Sequence, residues 1–205
     1  NGLGRSIQEI TKPRSDGDQK YDSATFYSIS NCQEGLSRVT LGNFLIKRVV
    51  FEIQEELPNI KHFGTLSPIP GFRDWFSYLE DGKIKNILGD APIENISFLK
   101  SPDLKVGDPR IVSNKVSITK LVAHYLMNEK NNKQLPINDV CRFHLGNGAI
   151  IDDIIINANV SEVGLNRSFG VMVNYLYELK NIEKNHEEYI NNKTIIISDK
   201  LKKII

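Results

Sequence analysis

Residues 41–57 read LGNFLIKRVVFEIQEEL, and this stretch decides the fold class. Leu41, Phe44, Leu45, Val49, Ile53 and Leu57 recur at helical spacing, while Lys47, Arg48 and Gln54-Glu55-Glu56 face elsewhere. Pro58 stops the helix. Upstream, Asp22–Ser30 (DSATFYSIS) is rich in aromatic and β-branched residues, which predicts a strand. Downstream, Ile60–Leu66 predicts a second strand. Ser67-Pro68-Ile69-Pro70-Gly71 must leave that strand abruptly, because two prolines fix φ and remove donors while Gly71 permits a sharp turn. Strand, helix and strand in succession predict an α/β or α+β domain.

Working outward, a short element around Ile7–Ile10 precedes a polar loop. Phe72–Leu79 predicts a short amphipathic helix with Phe72, Trp75 and Phe76 in the core. Residues 82–113, with three prolines, give no clear period. Lys115–Lys130 predicts a helix with Val116, Leu121, Val122, Tyr125 and Leu126 inward. Val140–Leu145 and Ala149–Ile156 predict strands around the turn Gly146-Asn147-Gly148. Leu165–Ile182 predicts a long helix, or a helix followed by a strand. The charged tail after Glu183 holds one strand-like run, Thr194–Ser198.

The 205 residues suit one domain with at most a small appendage. The 26 basic and 25 acidic side chains leave a net charge of +1, which argues against nucleic-acid or membrane-surface binding driven by bulk charge. With 40% hydrophobic and 25% charged residues, the chain can bury a core. No apolar run approaches the ~18 residues of a membrane span. Cys32 and Cys141 form neither a disulfide framework nor a metal-ligand spacing, which fits a reducing, cytoplasmic compartment. No secretory signal is visible, and a first residue other than Met suggests a processed or fragmentary chain.

Three places can carry chemistry. The turn Ser37-Arg38-Val39-Thr40-Leu41-Gly42-Asn43 precedes a helix whose free N–H groups suit a phosphate, although it is neither a Walker loop nor a dinucleotide fingerprint. Ser67 sits at a strand end before a rigid turn, outside any G-x-S-x-G elbow. His144, among apolar neighbours on the expected strand, is either a buried hydrogen-bonding residue or an acid/base. His62, His124 and His186 lie in amphipathic or charged settings and form no metal pair.

Four blocks resemble the malonyl-CoA decarboxylase family. They are Gly42-Asn43-Phe44-Leu45-Ile46-Lys47-Arg48-Val49-Val50, Leu66-Ser67-Pro68-Ile69-Pro70-Gly71-Phe72, Phe143-His144-Leu145-Gly146-Asn147-Gly148-Ala149 and Gly170-Val171-Met172-Val173-Asn174-Tyr175-Leu176-Tyr177. They follow the family's order. The resemblance implies a GNAT acyltransferase-like mixed sheet flanked by helices. It implies that residues 1–205 are the C-terminal part of the catalytic domain, without the family's helical N-terminal domain and without the first strands of the sheet. It implies CoA pyrophosphate on residues 37–43, catalytic roles for Ser67 and His144, and Tyr177 in the pocket wall. Arg38, Thr40 and Ile155-Ile156 depart from the family pattern, Arg38 standing where relatives often carry glycine.

The implied reaction converts malonyl-CoA to acetyl-CoA and CO2. The thioester is its own electron sink, so neither metal nor organic cofactor is needed. The implied partners are malonyl-CoA and acetyl-CoA, with homo-oligomers formed through the N-terminal domain. An N-acyltransferase of the same fold, a thioester hydrolase using Ser67 and His144, and a non-catalytic CoA-binding module are the competing readings.

Overall fold

The computed structural model describes residues 2–12, 21–27, 29 and 42–205, with the backbone alone for residues 42–45. Helix α2 (Gly42–Glu56) lies in the chain between strands β1 (Ser23–Phe26) and β2 (His62–Pro68). These strands pair in parallel, from Ser23 opposite His62 to Phe26 opposite Thr65. Parallel neighbours need a long crossover, and α2 lies within it. Among the described side chains of α2, Ile46 and Val50 are buried and Ile53 packs against the core as expected, while Val49 is half-buried; the side chains of Phe44 and Leu45 lie outside the described residues. Leu57, expected inward, lies past the helix end and is 55% exposed.

The sheet has four strands in the order β1-β2-β4-β3, completed by β3 (Ile150–Ile155) and β4 (Met172–Tyr177). Both β2–β4 and β3–β4 are antiparallel, so the sheet is mixed. Phe63 stands opposite Tyr177, Thr65 opposite Tyr175 and Ser67 opposite Val173. Because side chains alternate along strands, these six share one face. β2 runs on past its last β1 partner, and Ser67 and Pro68 lie in that overhang.

Between β2 and β3 the chain forms α3 (Phe72–Ser77), α4 (Asp81–Leu88), α5 (Glu94–Ser97), α6 (Pro109–Ser113), α7 (Lys115–Met127) and α8 (Asp139–Gly146), with a 3-10 turn at Phe98–Lys100. Residues 82–113 are thus a series of short helices. In α7 the residues Ile118, Leu121, Val122, Tyr125 and Leu126 are buried, while Val116 is 51% exposed because it falls off that stripe. The main core joins Phe63, Phe72, Phe76, Leu145 and Tyr175 on one side of the sheet. A smaller cluster of Leu66, Ile155, Ala158 and Met172 is covered by Ile7 and Ile10 of α1 (Ile7–Ile10).

One expectation is overturned here and one open alternative is decided. Val140–Leu145 is not a strand: it belongs to α8, so His144 rides on a helix. Asn138 starts that helix by accepting the Cys141 N–H at 2.8 Å, a cap that commits the following residues to α geometry. Leu165–Ile182 follows the second of its two readings: α9 (Glu162–Ser168), then β4. Phe169 and Gly170 both take positive φ (56° and 77°), which ends the helix and turns the chain into the strand. After β4 come α10 (Ile182–Asn192) and α11 (Asp199–Lys202). The Thr194–Ser198 run makes one parallel bridge, Ile197 to Ile151. Among the described residues no helix is long and apolar enough to cross a membrane.

Candidate active site

Ser67 is placed by the end of β2 and the turn that follows. Gly71 takes φ 79° at the start of α3, a backbone state open to glycine at little cost. The Pro70 carbonyl before it is clamped from two helices: Tyr125 Oη of α7 donates to it at 3.0 Å, and Asn138 Nδ2 at 2.9 Å. Asn138 therefore caps α8 with one end of its amide and holds the Ser67 turn with the other. Through it the segments bearing Ser67 and His144 are fixed to each other.

Across that joint, Ser67 Oγ and His144 Nε2 lie 2.9 Å apart. The other imidazole nitrogen, Nδ1, lies 2.8 Å from Tyr177 Oη on β4. Ser67 Oγ also donates to Thr65 Oγ1 at 2.9 Å, two residues back on the same strand face. The Tyr175 ring stacks on the imidazole with centroids 4.4 Å apart. All four polar side chains are enclosed: Thr65 is 0%, His144 2%, Tyr177 2% and Ser67 5% exposed.

This enclosure sets the charge state. Burial holds the His144 imidazole at about 3, far below its ordinary value, so it is neutral near pH 7. Burial also raises the Tyr177 and Tyr175 phenols, which stay protonated. The site is a chain of neutral hydroxyls and one neutral imidazole. It can donate and accept protons along hydrogen bonds without holding a fixed charge.

The structure thus brings together Ser67, His144 and Tyr177, from three separate segments. Ser37, Arg38, Val39, Thr40 and Leu41 lie outside the described residues, as does Cys32. Gly42 and Asn43 form the first turn of α2. Thr65 and Asn138 carry no expectation from the sequence, and Tyr175 stands only within the fourth family-like block, without a role. Thr65 and Tyr175 each stand two residues before a candidate, which puts them on the same strand face. Asn138 carried the signal of an N-cap before Asp139. Cys141 is a buried free thiol, pushed up to about 12 by burial. Among the described residues no three His, Cys, Asp or Glu side chains gather as a metal site. A depression of about 460 Å³ beside Trp75, Tyr78, Lys83 and Glu129 is lined by none of the site residues.

The whole chain also resembles known proteins. A family model described as the malonyl-CoA decarboxylase C-terminal domain matches residues 1–205. "Malonyl-CoA decarboxylase, mitochondrial" of Rattus norvegicus is 35% identical over 99% of this chain and 46% of its own length. The protein of the same name from Anser anser anser is 36% identical over 97% of this chain and 44% of its own. This chain therefore spans about half the length of these curated relatives. The crystal structure of malonyl-CoA decarboxylase from Rhodopseudomonas palustris superposes with a TM-score of 0.85 at 36% identity, covering 98% of this chain and 46% of that one. That from Agrobacterium vitis gives 0.87 at 34% identity, covering 100% and 51%. With the family model, the curated relatives and the solved structures agreeing along its whole length, the chain belongs to the malonyl-CoA decarboxylase family, within its C-terminal domain.

Proposed function

We propose that this domain decarboxylates malonyl-CoA to acetyl-CoA and CO2. The observation that carries the reading is the buried contact between Ser67 and His144, made by two residues that the family resemblance singles out. The bond from the α-carbon to the carboxylate breaks, and its electron pair passes into the thioester carbonyl as an enolate. A proton then closes the new C–H bond. One proton is consumed for each CO2 released. Because the thioester takes up the electron pair, the reaction calls for no metal or organic cofactor.

In this reading Ser67 orients the carboxylate or the carbon it leaves. His144, neutral in its buried position, gives the N–H proton to the enolate carbon and regains one from water. Tyr177 holds the imidazole from its far side. The apolar surroundings favour the loss of charge as CO2 departs. Ser37, Arg38, Val39, Thr40, Leu41, Gly42 and Asn43 receive the CoA pyrophosphate at the start of α2.

Residues 1–205 act as the C-terminal part of the catalytic domain, and homo-oligomers form through a helical N-terminal domain. Location in the cytoplasm rests on cysteine usage alone; the rat and goose relatives carry "mitochondrial" in their names. Malonyl-CoA turnover by the full-length chain tests the reaction. CO2 and acetyl-CoA in equal amounts are expected, whereas an acylated amine or free CoA without CO2 refutes it.

A further inference from the structure

The direction of the hydrogen-bond chain around His144 turns on the Ser67 hydroxyl, which has one proton and two neighbours, Thr65 Oγ1 and His144 Nε2. A neutral imidazole carries one N–H and one bare nitrogen, and a serine hydroxyl carries one proton. Ser67 spends its proton on Thr65 Oγ1 at 2.9 Å. The 2.9 Å contact between Ser67 and His144 then needs its proton from Nε2. Nδ1 is left bare, so the 2.8 Å contact on that side needs its proton from the Tyr177 hydroxyl. Each contact thus has one donor and one acceptor, running from Tyr177 through His144 and Ser67 to Thr65.

We propose that Thr65 is a positioning residue: by accepting the Ser67 proton, it keeps the His144 proton on Nε2, aimed at Ser67, where the reacting carbon must come. This rests on the decarboxylase reading of Ser67 and His144. Thr65 is suited to the task. It is fully buried, it stands on the same strand face as Ser67, and its carbonyl is held by Asn174 Nδ2 at 2.8 Å. Its Oγ1 has no second hydrogen bond among the described residues, so little competes with Ser67 for it. Without that acceptor the Ser67 proton turns to Nε2. The imidazole must then carry its proton on Nδ1 toward Tyr177, and the nitrogen facing Ser67 becomes a base with no proton to give.

Thr65→Val keeps shape and branching but removes the acceptor. Thr65→Ser keeps the acceptor and loses a methyl. The full-length chain, labelled with 15N-histidine, is measured in all three forms, with His144→Gln assigning the signal. The wild type and Thr65→Ser are expected to show the Nε2–H tautomer, and Thr65→Val the Nδ1–H tautomer. Loss of a residue that orients a catalytic group commonly costs ~10–100-fold, so kcat of Thr65→Val should fall on that scale with KM nearly unchanged. Thr65→Ser should restore most of kcat. An Nδ1–H tautomer in the wild type, or an unchanged tautomer and kcat in Thr65→Val, overturns the proposal. So does a Thr65→Ser variant as slow as Thr65→Val, which marks a packing role. Full turnover by Ser67→Ala refutes the role given to Ser67, and absence of CO2 from the wild type refutes the decarboxylase reading, while the tautomer measurement still decides the direction of the chain.

Discussion

The rings of His144 and Tyr175 lie 4.4 Å apart with their planes inclined by 23°, so the tyrosine covers one face of the imidazole. Tyr175 is itself fully buried and lies close to Cys141, one helical turn before His144. The ring is therefore both core and floor of the site. Removing a buried aromatic ring typically costs ~3–5 kcal/mol, so Tyr175→Ala should lose stability on that scale. Tyr175→Phe keeps the stack and should lose only about 1 kcal/mol. Urea unfolding of both variants checks this, and equal losses would contradict the stacking role.

Ser67→Ala and His144→Ala should each lower malonyl-CoA turnover by about 10²-fold or more, the usual scale for an acid/base group. CoA affinity should change much less, because residues 37–43 lie elsewhere in the sequence. Steady-state rates and CoA titration separate the two effects. Near-normal turnover in both variants would remove the pair from the chemistry.

The depressed His144 value makes stability depend on pH in a fixed sense. In the unfolded chain the imidazole titrates near 6.5, and in the folded chain near 3. Between these values the unfolded chain binds the extra proton, so acid favours unfolding. This contribution is intact above pH 6.5 and is lost as pH falls toward 3, at up to ~1.4 kcal/mol per unit. Denaturant unfolding from pH 7.5 to 5 should show the decline, and His144→Gln should flatten it. A slope of equal steepness in that variant would assign the effect to other groups.

Asn138 is predicted to matter twice, through α8 and through the Pro70 carbonyl. Losing an N-cap costs ~0.5–2 kcal/mol. Asn138→Ala should exceed the middle of that range, because the clamp on the turn goes with it. Asn138→Asp keeps the cap but turns a carboxylate toward a buried carbonyl that needs a donor. Thermal unfolding should therefore find Asp at least as harmful as Ala. An Asp variant as stable as wild type would show that the clamp contributes nothing.

What the sequence disclosed follows from which signals are local. The helices α2 and α7 and the strand β2 stand out because their apolar spacing or β-branched content extends over enough residues. α8 was concealed, since VCRFHL is too short for period to separate helix from strand, and only the Asn138 cap decides it. α9 and β4 share one apolar spacing, Leu165, Phe169, Met172 and Leu176, and the break between them is a backbone event at Phe169 and Gly170. Ser67, His144 and Tyr177 were found through family resemblance, not through pattern. Thr65 and Tyr175 were missed because their importance lies in contacts across strands, which no spacing along the chain encodes.

The register between β2 and β4 also fixes when the site can exist. On the edge away from β1, Phe63–Pro68 finds its partner in Met172–Tyr177, far along the chain. A ribosome releases Ser67 long before it releases Tyr177, so the strand bearing the serine must wait with one edge open and Phe63 and Leu66 uncovered. A product halted between residues 146 and 172 would hold Ser67 and His144 but lack Tyr177 and the strand that covers the open edge of β2. The candidate site thus lacks Tyr177 until translation of the domain is almost finished, and over that delay the waiting β2 edge is open to pairing with other chains.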